Sequence, residues 1–271
     1  MGLFLWHEKL SLGMTNETLD ISLDGKSLYF ASDFHLGAPD PIKSKEREKR
    51  IIRWLDSIAD DARAIFLVGD IFDFWFEYGE VIPKGFIPFI SKISQLRDQN
   101  IPIYFFTGNH DLWMKTYFTE ELGIPVFHEP IQVSVGKKVL MVGHGDGLGP
   151  GDESYKLLKK VFTNPFSKWL FRWFHPDLGI KIAKAWSGRS RISNLEKNEG
   201  QFLGEKEWLW QYCKEVEVTN HHDFYIFGHR HLPLELPVGD SSTYYNLGEW
   251  VSQNTFLKID QEGASLTEFK G

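Results

Sequence analysis

At 271 residues, 42% of them hydrophobic, the chain is long enough to bury a large core as one large domain or two small ones. Its formal charge of −7 argues against a general nucleic-acid binder, which carries a basic surplus. The lone Cys213 excludes an internal disulfide, so a metal site would have to draw on His, Asp, Glu or Asn. That count fits a reducing compartment. The N-terminus, MGLFLWHEKLSLG, has no basic start, long apolar run or small-residue cleavage site, so no signal peptide is expected. No apolar stretch approaches the roughly 20 residues of a membrane-spanning helix. The expected location is cytoplasmic.

No element is predicted before residue 28. From there a short apolar strand repeatedly runs into a polar loop. Residues 28–31 lead to Ser32-Asp33-Phe34-His35, and a helical period follows over 44–59. Residues 64–68 lead to Gly69-Asp70, followed by a second helical period over 86–99. Residues 103–106 lead to Thr107-Gly108-Asn109-His110-Asp111, and residues 139–142 to Gly143-His144-Gly145-Asp146. Strand alternating with helix predicts a buried, mostly parallel sheet. Ligands of such sheets gather at the carboxyl ends of the strands, where every one of these loops lies.

Residues 152 to about 214 differ from the rest. They read as helical and rich in aromatics, including Tyr155, Phe162, Phe166, Trp169, Phe171, Trp173, Phe174 and Trp186. Between Lys156 and Lys197 there are ten Lys or Arg against two acids, in a chain that is acidic overall. The segment is expected to be an insertion into a single domain spanning 1–271. Such a helix can cover an apolar, anionic ligand or lie on lipid headgroups. Equally, its aromatics can be ordinary core and its lysines a solvated face. A last apolar strand, 224–227, leads to Gly228-His229-Arg230-His231, and short strands fill 234–269, with turns at 237–240 and 261–263.

Hydrolysing a phosphoester at neutral pH requires a deprotonated water and neutralised phosphoryl oxygens. Two divalent ions about 3.5–4 Å apart supply both. They need a bridging carboxylate and several neutral or anionic ligands, and mixed oxygen and imidazole donors suit Mn, Fe or Zn. The loops offer that set. Asp33-x-His35 and His229-x-His231 each place two side chains on one side of an extended segment. Asp70 follows a glycine, Asn109 offers an amide oxygen, and His144 lies between two glycines. Each motif alone is more often a turn than a ligand. Five in order, each after a strand, are a joint signal.

That series resembles the calcineurin-like metallophosphoesterases, whose pattern is Asp-x-His, Gly-Asp-x-x-Asp, Gly-Asn-His-Asp/Glu, Gly-His and Gly-His-x-His. Here it stands as Asp33/His35, Gly69-Asp70-Ile71-Phe72-Asp73, Gly108-Asn109-His110-Asp111, Gly143-His144 and Gly228-His229-Arg230-His231. The resemblance implies a four-layer α/β/β/α sandwich. It implies one ion on Asp33, His35, Asp70 and His231 and a second on Asp70, Asn109, His144 and His229, with Asp70 bridging and Mn2+ the expected metal. It also implies a catalytic His110 beside the leaving group, oriented by Asp73. An imidazole held by a carboxylate titrates near neutrality and is a reasonable general acid.

Asp70-Ile-Phe-Asp-Phe-Trp75, His144-Gly-Asp-Gly-Leu with Asp152 and Tyr155, Pro165, the aromatic run 169–174 and the basic stretch 180–184 are similar to the UDP-2,3-diacylglucosamine pyrophosphatases of lipid A synthesis. That family has a helical lid over the metal site. Asp152 falls eight residues after His144, and Ser190, Asn194 and Lys197 reproduce its Ser-x-x-x-Asn-x-x-Lys run. The resemblance implies cleavage of a UDP-sugar lipid to UMP and 2,3-diacylglucosamine 1-phosphate. Lys197 would meet the pyrophosphate, Asp152, Ser190 and Asn194 would hydrogen-bond the headgroup, Asn109 and His229 would also bind substrate, and lid aromatics would take acyl chains at about 0.8 kcal/mol per CH2. His110 stands where the best-known branch of that family has Arg. The lid also suggests peripheral contact with an anionic inner membrane face; no nucleic-acid partner is expected. The competing readings are a phosphodiesterase or phosphatase for soluble nucleotides and a non-catalytic metal-binding scaffold.

Overall fold

The computed structural model describes residues 18–150, 153–182 and 201–271. Two six-stranded sheets lie face to face. The first runs β12 (Ala264–Glu268), β11 (Thr255–Ile259), β2 (Ser27–Ala31), β3 (Ala62–Val68), β4 (Ile103–Phe106), β5 (Val126–Phe127), and the second β1 (Thr18–Ile21), β6 (Ile131–Val135), β7 (Lys138–Gly143), β8 (Phe224–Phe227), β10 (Ser242–Leu247), β9 (Pro233–Val238). In the first sheet, β2, β3, β4 and β5 are parallel, as the alternation with α1 (Pro41–Ile58) and α2 (Ile87–Asp98) requires. The last strands, β11 and β12, add antiparallel beside β2. In the second sheet β1 pairs with β6, and β7 with β8. There β10 runs parallel to β8 and antiparallel to β9.

The strands read as continuous apolar runs because both their faces are covered. On β2, Leu28 and Phe30 join the core between the sheets, while Tyr29 and Ala31 pack under α1 and α2. On β8, Phe224 and Ile226 face the same inter-sheet core, while Tyr225 and Phe227 pack under α7 (Trp208–Glu217) beside Leu209, Trp210 and Cys213. Three apolar layers between four layers of structure give the expected α/β/β/α sandwich. Helix α1 starts where Asp40 accepts hydrogen bonds from the amides of Ile42 and Lys43, both 2.9 Å, with Pro41 in the first turn.

Between β7 and β8 come α4 (Glu153–Thr163), α5 (Pro165–Arg172) and α6 (residues 176–182). A short α3 (Tyr117–Leu122) follows β4. Helix α5 docks through Phe171, whose ring centroid lies 4.8 Å from Phe76 and 4.9 Å from Trp113. Its other face is open: Phe166, Trp169, Leu170 and Trp173 are all at least half exposed, Trp173 at 73%. No helix among the described residues is long and apolar enough to cross a membrane.

At the far end of α7, Glu217 accepts hydrogen bonds from Tyr225 Oη and His221 Nδ1 (both 2.6 Å), Ser242 Oγ (2.9 Å) and the His222 amide (3.2 Å). Partial burial alone would raise its carboxyl; these donors outweigh it and hold the group at about 2. A carboxyl depressed on folding stabilises above its unfolded value of about 4.5 and loses that contribution as pH falls toward 2. The variant Glu217→Gln is therefore expected to flatten stability between pH 4.5 and 2, read from urea midpoints. Parallel curves for parent and variant would refute it.

Candidate active site

All seven side chains expected to hold metal converge at the carboxyl ends of β2, β3, β4, β7 and β8, so both sheets contribute. Asp33, His35, Asp70 and His231 place ligand atoms within 4.8 Å of one another. Within that group His231 Nε2 lies 3.1 Å from Asp33 Oδ1 and 3.1 Å from His35 Nε2. His35 Nε2 lies 3.7 Å from Asp33 Oδ1 and 3.9 Å from Asp70 Oδ2. On the other side of Asp70, its Oδ2 is 3.5 Å from His144 Nε2. The His229 and His144 rings are 5.2 Å apart, and His229 Nδ1 is 3.1 Å from Asn109 Oδ1. Donors about 2.0–2.2 Å from a common ion stand about 3–3.5 Å apart, so the closer pairs have the spacing of a shared cation.

Buried polar atoms give an independent test. Asp33 Oδ1 and His144 Nε2 are buried with no hydrogen bond. Such atoms are costly unless something else satisfies them. His144 Nδ1 donates to the Val68 carbonyl at 2.9 Å, which fixes the ring so that Nε2 faces Asp70. The residues fit divalent ions.

Local backbone explains why these residues converge. Asp33, His35, Asp70, His229 and His231 all have positive φ, from 44° to 71°, five of the nine such non-glycine residues among those described. Left-handed backbone is uncommon outside glycine and persists where surroundings over-determine it. Here the loops bind each other: the Asp33 amide donates to Gly69 O, that of His35 to Asp70 O, and that of Gly228 to His144 O. The His229 amide donates to Asp33 Oδ2 (3.0 Å) and the His110 amide to Asp70 Oδ1 (2.9 Å). The motif glycines let ligands touch. A Cβ on Gly69, whose φ is +82°, would lie 2.4 Å from His144 Nδ1, and one on Gly108 would lie 2.2 Å from Asp70 Oδ1.

The buried carboxylates and imidazoles act on one another. Burial would raise the Asp70 carboxyl, but the His144 and His110 imidazoles hold it well below the usual carboxylate range. Asp33 is likewise held down, against burial, by His231 and His35. For His144 burial lowers the pKa, yet the Asp70 carboxylate lifts it to about 10. Burial and then the His144 charge push His229 down to about 4, and burial also lowers His35. His229 and His35 are thus neutral donors at pH 7, whereas His144 must give up a proton to bind a cation.

His110 and Asp73 sit beside this group. His110 Nδ1 is 3.1 Å from the Asp73 carbonyl and 3.7 Å from its Oδ1, so the backbone of Asp73 makes the nearer contact. The His110 ring lies 4.8 Å from His35 and nearly perpendicular to it. Asp152, Ser190, Asn194 and Lys197 lie outside the described residues.

Three residues had no role in the sequence reading. Asp111 accepts from the amides of Gly108 (2.7 Å), Ile71 (2.8 Å), Asp70 and Phe72 (both 3.3 Å), tying two ligand loops together. Arg230 and Glu207 form a buried pair behind the last loop. The fourth residue of Gly-Asn-His-Asp was a signal for the first; nothing local marked the other two.

Comparison with known proteins agrees with this geometry. The sequence model of the family described as calcineurin-like phosphoesterase matches residues 26–233. The chain is 36% identical over 245 residues to the UDP-2,3-diacylglucosamine hydrolase of Porphyromonas gingivalis, covering 86% of this chain and 94% of that one. It is 27% identical to the UDP-2,3-diacylglucosamine hydrolase of Proteus mirabilis, covering 89% and 98% respectively. The matched region runs from β2 through the last ligand loop, and on that evidence the chain belongs to the calcineurin-like phosphoesterase family.

Proposed function

We propose that this protein hydrolyses the pyrophosphate of UDP-2,3-diacylglucosamine, releasing UMP and 2,3-diacylglucosamine 1-phosphate for lipid A synthesis. The observation that carries the reading is the 36% identity to a relative of that name over almost its whole length. Two divalent ions, Mn2+ first among the candidates, would be held by Asp33, His35, Asp70 and His231 and by Asp70, Asn109, His144 and His229. When bound they neutralise phosphoryl charge and lower the pKa of water.

The chain's own residues divide the remaining work. His110, fixed through Nδ1 by Asp73, would present Nε2 to the phosphoryl group or its leaving oxygen. General-acid help of this kind contributes about 10²–10⁴ in rate. His110→Ala is therefore expected to lower kcat by about that factor while leaving metal content unchanged by elemental analysis; loss of metal instead would move His110 to a structural role.

Residues 152 to about 214 would form a lid within the one domain. The exposed Phe166, Trp169, Leu170 and Trp173 on α5 favour an acyl-chain role for it, and Asp152, Ser190, Asn194 and Lys197 would meet the headgroup. These exposed aromatics, in a segment rich in Lys and Arg, support peripheral contact with an anionic membrane on the cytoplasmic side. Failure to float with anionic liposomes at low salt would remove that part.

The function is tested by UMP release from UDP-2,3-diacylglucosamine with Mn2+, beside UDP-N-acetylglucosamine and bis-p-nitrophenyl phosphate. Strong preference for the diacylated substrate is expected. Activity on the generic diester alone would keep the phosphoesterase and discard the lipid substrate.

A further inference from the structure

We infer that Glu207 and Arg230 are a positioning pair that sets the geometry of the His229–His231 loop and fastens residues 201–207 to it. The inference rests on the reading of His229 and His231 as metal ligands. Both histidines have left-handed backbone, φ 71° and 50°. Two such residues separated by one are a strained arrangement that needs an external anchor. The residue between them supplies it. While His229 and His231 turn toward Asn109 and Asp33, Arg230 is 1% exposed and reaches a different set of partners.

Arg230 Nε and Nη2 donate to Glu207 Oε2 and Oε1, both at 2.8 Å. The guanidinium also lies 4.6 Å over the Trp208 ring, and Nη2 donates to the Gln201 carbonyl at 2.9 Å. Glu207 is fully buried and accepts from the Leu203 amide at 2.9 Å. Segment 201–207, the 3-10 turn Gly204–Lys206 and the start of α7 are thereby fixed to the metal loop.

A buried ion pair is a poor source of stability, because apolar residues of similar volume often do as well. What apolar residues cannot reproduce is the fork geometry, which fixes direction as well as distance. The pair is therefore suited to aiming the two imidazoles. A movement of residues 201–207 would reach His229 and His231 through it.

The test uses the full-length protein, with calorimetric Mn2+ affinity and the visible spectrum of the Co2+ form as readouts. Glu207→Gln is expected to weaken Mn2+ binding about 10–100-fold, as loss of an outer partner of metal ligands does, and to change the Co2+ bands. The double variant Glu207→Leu/Arg230→Met replaces the pair by apolar residues. It is expected to recover the parent's melting temperature while keeping the weakened affinity. Parent-like affinity and spectrum in either folded variant would overturn the proposal and leave a purely structural pair. His231→Ala is measured alongside. If that variant binds Mn2+ like the parent, the ligand reading itself fails; if it binds weakly while Glu207→Gln does not, only the positioning role fails.

Discussion

Replacing Asp70 by alanine is expected to remove bound metal and phosphoesterase activity together, each by more than the 10–100-fold that loss of an outer hydrogen-bond partner causes. Asp70 stands between the two groups of donors, with His35 on one side and His144 on the other. Its other oxygen accepts from the His110 amide, so one side chain joins both halves of the site to the His110 loop. Gly108 packs directly against this carboxylate. Elemental analysis and turnover of bis-p-nitrophenyl phosphate are the measurements. A second readout comes from the metal-free protein. Asp70 is what lifts His144 to about 10, so its imidazole resonances should titrate at distinctly lower pH in the variant. Full activity with parent-like metal content would sink the assigned site.

The second large effect is expected from Asp111→Ala, and it falls on stability. Asp111 is fully buried, and burial with the nearby Asp70 charge pushes its carboxyl up to about 7, against the pull of the Gly108 and Phe72 amides. Alanine would strand four amide donors, two of them in short bonds. Each stranded buried donor costs about 1–3 kcal/mol, so the two short bonds alone imply a loss of about 2–6 kcal/mol. Urea denaturation measures it. Asp111→Asn keeps one acceptor oxygen and should fall between parent and alanine. A loss below about 1 kcal/mol would mean that water reaches those amides.

The sequence disclosed the site more fully than the fold around it. Strand ends are marked by a change from apolar residues to Gly, Asp, Asn and His, a signal contained within a few positions, so every ligand loop could be placed. The predicted helix at 44–59 compares with α1 at Pro41–Ile58, and 86–99 with α2 at Ile87–Asp98. Two-sided burial was also legible, because Leu28 to Ala31 has no polar face. What could not be read is which strands share a sheet. β7 and β8 look like β2 and β3 in composition, yet they belong to the opposite sheet, since pairing is decided by contacts remote in sequence. For the same reason β1, whose partner is β6, was not foreseen. Arg230 was seen only as the spacer between two histidines, because its partner lies 23 residues away on another element.

The pairing of β11 with β2 sets a condition on synthesis. Leu257 aligns with Phe30, so β11 lies beside a strand made far earlier in the chain. Until then β2 presents an open edge. Contacts so distant in sequence slow folding and leave apolar strands such as Leu28 to Ala31 uncovered meanwhile. The nascent chain must therefore wait, shielded, until residues 255–259 have emerged, and a stop codon shortly before residue 255 would yield an aggregate rather than a shortened enzyme.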